Sequence, residues 1–255
     1  MKKGFMLVRT LIALLILVLG AFILYTFAGD VKDVLKEDAE IETCKLSVLA
    51  QAQFKALGKS IVPLDCPRRN LKIYEDKVEI NGAKSKKYSF KELKADELNH
   101  IIAEELRLCW YKMAEGNKNI FENSILFGVD RTCLICSEIE FDDKLNGKTY
   151  NGLFGYLKSN KIPKTGTSYY DYISKSQKNL YLLNNIPWTQ WLPWGTGTTR
   201  RISEETLSSE QKYLIYFLAY KPAAFAEATG ALSTAYYIGL GKEEIIREEC
   251  NILVN

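Results

Sequence analysis

The chain has 255 residues, of which 47% are hydrophobic and 25% charged, a composition that excludes a disordered polypeptide. Its net charge of +3 comes from Lys2, Lys3 and Arg9: taking these three from the 34 Lys and Arg leaves 31 basic residues against 31 acidic ones in residues 30–255. So balanced a body lacks the basic excess of a nucleic-acid binder, and no nucleic acid is expected as a partner.

Residues 1–9 are a basic cytoplasmic flank, and residues 10–29 are predicted to be a transmembrane helix. The uncharged run Thr10–Ala28 is 19 residues long. At about 1.5 Å per residue it makes a helix of about 29 Å, close to the roughly 30 Å hydrocarbon core of a bilayer. Lys2, Lys3 and Arg9 precede it, whereas Asp30, Asp33, Glu37, Asp38 and Glu40 follow. Positive charge stays inside, which places the N-terminus in the cytoplasm and the remainder outside. The run exceeds the apolar region of a signal peptide, and Thr26-Phe27-Ala28 is a poor small-x-small cleavage site. A single-pass signal anchor with the lipid bilayer as partner is therefore expected at the cell membrane.

The opening Lys2-Lys3-Gly4-Phe5-Met6-Leu7 resembles the start of type IV prepilins and pseudopilins. That resemblance implies processing after Gly4 and a pilin-like filament subunit. Arg9 stands at the fifth position after the implied cut, where the family carries Glu, and reverses the charge that assembly uses.

Residues 30–58 read as a stalk or amphipathic helix with Val31, Val34, Leu35, Ile41, Leu46, Val48, Leu49 and Leu57 as apolar positions and Gly58 as its stop. No sustained heptad appears, so docking on its own domain is favoured over an oligomer through the stalk. Residues 59–255 form the predicted extracytoplasmic domain. Short antiparallel strands are expected at Leu71–Tyr74 and Lys77–Ile80, with a turn at Asn81-Gly82. A helix is expected over Ala95–Ala114, where Leu98, Ile102, Leu106, Cys109 and Met113 recur every three or four residues and Gly116 stops it. Strands near Ile125–Val129 and over Cys133–Phe141 follow, then short helices near Tyr150–Ser159 and Tyr169–Gln177. Tyr213–Tyr220, Thr234–Leu240 and Cys250–Val254 complete the strands. Tyr213–Tyr220 is apolar on both faces and is placed in the centre of the sheet. Helices mixed with hairpin-spaced strands define an α+β domain with a largely antiparallel sheet.

All six cysteines, Cys44, Cys66, Cys109, Cys133, Cys136 and Cys250, lie beyond the apolar run. An even number on the exported side fits three disulfides, among about 15 possible pairings. One pairing can be argued from position: Cys44 and Cys66 straddle a short connection and would pin the stalk helix to the first strand. Cys133-Leu-Ile-Cys136 has the Cys-x-x-Cys spacing of a redox centre or half a zinc site. Its surroundings alternate as a strand, however, so the two thiols point to opposite faces and bond elsewhere. No second ligand pair completes a zinc site, and neither metal nor cofactor is expected.

The set Cys109-Trp110…Cys133-x-x-Cys136…Ile139-x-Phe141, with Cys250 in the last strand, resembles uncharacterised archaeal single-pass membrane proteins with similarly spaced cysteines. That resemblance implies an anchor with an ectodomain and adds no chemistry.

His100, the only histidine, lies one turn from Glu104 on the predicted helix, but no Gly-x-Ser-x-Gly elbow supplies a nucleophile. It reads as a surface side chain, and no catalytic residue is assigned. Gly195-Thr-Gly197 lacks the Gly-Lys-Ser/Thr ending of a phosphate loop. Trp188, Trp191 and Trp194 lie in a loop shaped by Pro187 and Pro193, with Arg200 and Arg201 nearby. Aromatic loops of this kind stack on sugars, meet protein partners, sit at headgroups or close over a core. The sequence thus points to a membrane-anchored binding or structural ectodomain, with this loop as the contact for a protein or glycan. A filament subunit and an exported thiol-disulfide oxidoreductase are the alternatives.

Overall fold

The computed structural model describes residues 39–53, 55–56, 59–60, 63–116, 130–174, 180–183, 206–221, 235–250 and 252–254. The predicted transmembrane helix, the strand expected near Ile125–Val129 and the Trp188–Arg201 segment lie outside them. No helix of the described residues is long and apolar enough to cross a membrane. The chain divides into two compact units, Met1–Glu42 and Thr43–Asn255. Of the first, only residues 39–42 are described, and they are helical.

The second unit is an α+β fold around a mixed, largely antiparallel sheet. Helix α1 covers residues 43–53 of this unit. It does not extend to Gly58 as expected, because Lys55–Ala56 (β1) and Lys59–Ser60 (β2) are strands that pair antiparallel. The main sheet is built from β3 (Arg69–Ile73), β4 (Lys77–Ile80), β5 (Ala83–Ser89), β6 (Asp130–Phe141), β8 (Leu180–Leu183), β10 (Tyr213–Lys221), β11 (Ala235–Lys242) and β12 (Ile252–Val254). Its order is β5-β4-β3-β6-β10-β11-β8, with β12 also beside β6. Pairs β3·β4, β4·β5, β6·β10 and β10·β11 are antiparallel, while β3·β6, β12·β6 and β11·β8 are parallel. Tyr213–Ala219 is buried throughout and β10 lies between β6 and β11, as its two apolar faces predict.

Asn81 and Gly82 turn the chain from β4 into β5 with φ of 52° and 81°. Positive φ at both central residues of a two-residue hairpin is the geometry that Asn-Gly favours.

Helix α2 (Ala95–Lys112) crosses one face of the sheet, where Leu98, Ile101, Ile102, Leu106 and Cys109 join the main core. Helices α3 (Leu153–Ser159) and α4 (Tyr169–Ser174) flank it, close to their predicted positions. The chain leaves α2 through Ala114, Glu115 and Gly116, all with positive φ. A Cβ on Gly116 would come within 2.8 Å of the Trp110 ring, so only glycine fits under the tryptophan. A small pair, β7 (Thr149–Tyr150) with β9 (Leu207–Ser208), closes one end.

The opposite face carries a second cluster of Cys133, Ile135, Leu214, Tyr216, Leu218 and Ile246. Ile246 belongs to α5 (Glu243–Glu249), which has Glu243 and Glu244 in its first turn and Arg247 in its last. Cys250 caps α5 and does not begin the last strand, a correction that follows from Cys250 N–H closing onto the Ile246 carbonyl.

Candidate functional site

The six cysteines form three disulfides: Cys44–Cys66, Cys109–Cys136 and Cys133–Cys250. The first joins α1 to the segment entering β3. The second joins α2 to β6 through the main core, and the third joins β6 to the end of α5 through the second cluster. Cys133 and Cys136 thus point to opposite faces of β6 and bond other partners, as a strand geometry requires. The accessible Cys133–Cys136 bond on which an oxidoreductase reading depends is not formed.

β6 is irregular at this point. Ile215 pairs with Ser137 and Tyr216 with Ile135, so Cys136 is the extra residue of a bulge. The bulge turns both Cys136 and Ser137 towards α2, one turn of which carries Cys109 and Glu105. Ser137 Oγ donates to Glu105 Oε2 at 2.7 Å. Arg69 completes the arrangement from the head of β3: its Nε donates to Oε2 at 3.1 Å and its Nη2 to Oε1 at 3.0 Å. Glu105 is 0% and Arg69 4% exposed, which makes this a buried two-pronged ion pair.

The preceding residue, Glu104, points about 100° around the helix and meets a different set of partners. Lys87 Nζ donates to it at 2.6 Å and Arg107 Nη2 at 3.1 Å, and the Tyr169 hydroxyl donates from α4. Burial works to raise its pKa, but the bonds from Arg107, Lys87 and Tyr169 prevail and hold the carboxyl down to about 2. Burial and the bond to Glu104 push the Tyr169 phenol far up. Tyr172 Oη similarly donates to Glu115 at 3.0 Å.

Lys87 reaches Glu104 because β5 runs out of step with β4. Lys77 faces Ser89 and Glu79 faces Lys84, so β5 uses three more residues than β4 between those contacts. The excess brings Lys87 and Tyr88 up to α2. An open cleft of about 570 Å³ lies there, lined by Tyr88, Phe90, Lys91, Lys94, Glu97 and His100 among others.

His100 is partly buried on the cleft wall, with Tyr88 and Tyr156 ring centroids each 6.2 Å away. Its Nδ1 and the Tyr156 hydroxyl are 3.0 Å apart, which links α2 to α3. Burial lowers the imidazole pKa below 6.5, opposed by Glu104 and reinforced by Lys87. Nothing in the local sequence marks Tyr156 or Lys87 as neighbours of His100. The Glu104 spacing was the one available signal, and it joins His100 electrostatically.

Among the described residues no three His, Cys, Asp or Glu side chains converge to hold a metal ion. Trp188, Trp191, Trp194, Arg200 and Arg201, the sequence-based binding candidates, lie outside the described residues. Fold and site together define a disulfide-bonded α+β domain. No family model matches the chain, and no match was found among the curated proteins or the solved structures.

Proposed function

We propose that this protein is a single-pass cell-envelope protein whose anchor is residues 10–29 and whose domain works outside the cytoplasm by binding or structure. The observation that carries this reading is the pairing of all six cysteines, every one of them beyond the apolar run, in three disulfides. Such bonds persist in oxidising compartments and are rare in the cytosol. The resemblance to archaeal single-pass proteins with similar cysteine spacing points the same way. In this reading the Trp188–Trp194 loop, with Arg200 and Arg201, meets a protein or glycan partner.

A membrane-impermeant amine reagent applied to intact cells tests the topology. Labelling of lysines in residues 59–255 is the expected result, and labelling only after lysis would refute it. The filament-subunit alternative keeps one observation, the Lys3-Gly4-Phe5 opening. A mature chain starting at Phe5 would favour it, and an intact Met1 would remove it.

A further inference from the structure

The three disulfides are unequal in accessibility. Cys44, Cys66, Cys109, Cys133 and Cys136 are 0–7% exposed, whereas Cys250 is only partly buried. Cys250 is bonded to Cys133 across 117 residues of sequence, the widest separation of the three. It sits between α5, which packs on β10 and β11, and β12, which pairs with β6. β12 is three residues long and pairs parallel with Thr132–Leu134 only. Ile246 of α5 belongs to the same buried cluster as Cys133 and Ile135 on the second face. Among the described side chains, the main core beneath α2 draws on neither element, and its own disulfide, Cys109–Cys136, is fully enclosed.

From this arrangement we infer that α5 and β12 form a reduction-sensitive strap, locked by Cys133–Cys250 and released by a dithiol while the rest of the domain stays folded. A thiolate of the dithiol attacks the Cys250 sulfur, forming a mixed disulfide and expelling the Cys133 thiolate, which takes up a proton. The second thiol of the reductant then attacks the mixed disulfide, closes its own ring and releases Cys250 as the second thiol. The protein bond gains two electrons and two protons, and the dithiol is oxidised to its cyclic disulfide. Release exposes the backbone edge of β6 at Thr132–Leu134 and the apolar patch around Ile135, a surface suited to pairing with another strand.

The strap presupposes the three-disulfide state on which the proposed function also rests. The thiol count of the native protein tests that state, while the order of opening tests the strap. Oxidised full-length protein is titrated with dithiothreitol, quenched by alkylation and mapped by mass. Cys133 and Cys250 are expected to be modified first, at least about tenfold faster than either other pair, given the access of the attacking thiolate. Amide exchange should rise at Ile252–Val254 and residues 130–134 while Ala95–Lys112 stays protected. Opening of another pair first, simultaneous opening of all three, or loss of protection across α2 would overturn the inference. The double variant Cys133→Ser/Cys250→Ser should show the released pattern without reductant. Global unfolding of that variant, or full protection of Ile252–Val254 in it, would overturn the inference as well.

Discussion

Cys136 and Ser137 are neighbours in sequence on β6, yet both face helix α2, one bonded to Cys109 and the other donating to Glu105. A regular strand would send one of them to the far face. The bulge at Cys136 therefore lets a covalent and a polar tie act side by side, four residues apart on the helix, and fixes the position of α2 on the sheet.

The polar tie gives the first prediction. Glu105→Gln removes the charge that faces Arg69 and should cost about 3–5 kcal/mol, the usual loss when one partner of a buried ion pair is neutralised. Ser137→Ala should cost about 1–2 kcal/mol, the loss of one buried donor. Replacing the pair together, Arg69→Met with Glu105→Leu, should be much milder than Glu105→Gln alone. Urea unfolding of the four proteins measures all of this, and an equal loss in the double variant would contradict it.

Acid should expose the Glu104 cluster. Its folded pKa of about 2 lies below the ordinary 4.5, so the stabilisation is present above 4.5 and is lost as pH falls from there towards 2. The window carries about 2–3 kcal/mol for a shift of this size. Glu104→Gln should be less stable at neutral pH and should lack this part of the acid transition. Melting temperatures across the window decide the matter.

His100 titrates in a different window and with the same sign. Its folded pKa is depressed, so the unfolded chain binds the proton more readily. Stability is full above 6.5 and declines as pH falls through the lowered folded value. His100→Asn should flatten the decline in stability as pH falls below 6.5 relative to the native protein. Unchanged slopes would place His100 outside any linkage.

Gly116→Ala tests the exit from α2. The residue has φ of +67°, and an added Cβ lies 2.8 Å from the Trp110 ring. Strain and overpacking together should cost about 2–4 kcal/mol. Trp110 fluorescence should shift as its ring moves off Phe217, whose centroid is 5.9 Å away. A neutral substitution with unchanged fluorescence would contradict this packing.

Much of the fold is legible in local periodicity, and the misses share a cause. The repeat of Leu98, Ile102, Leu106 and Cys109 specifies α2, and the two apolar faces of Tyr213–Tyr220 specify a central strand. The strand pattern around Cys133 and Cys136 also rules out their mutual bond. α5 escapes notice because Glu243–Glu249 is charged and short, and its support is the Glu243–Arg247 pair at 2.7 Å and one buried side chain, Ile246. The Cys136 bulge and the extra residues of β5 depend on partner strands far away in sequence. The cleft beside His100 follows from that β5 excess, so spacing on α2 alone shows Glu104 and not Lys87 or Tyr156.

The central claim is an exported domain held by three disulfides, and a thiol count on the freshly isolated full-length protein tests it most directly. Alkylation before and after reduction, read by intact mass, should add nothing before reduction and six labels afterwards. Six labels before reduction would contradict both the disulfides and the placement of the domain outside the cytoplasm.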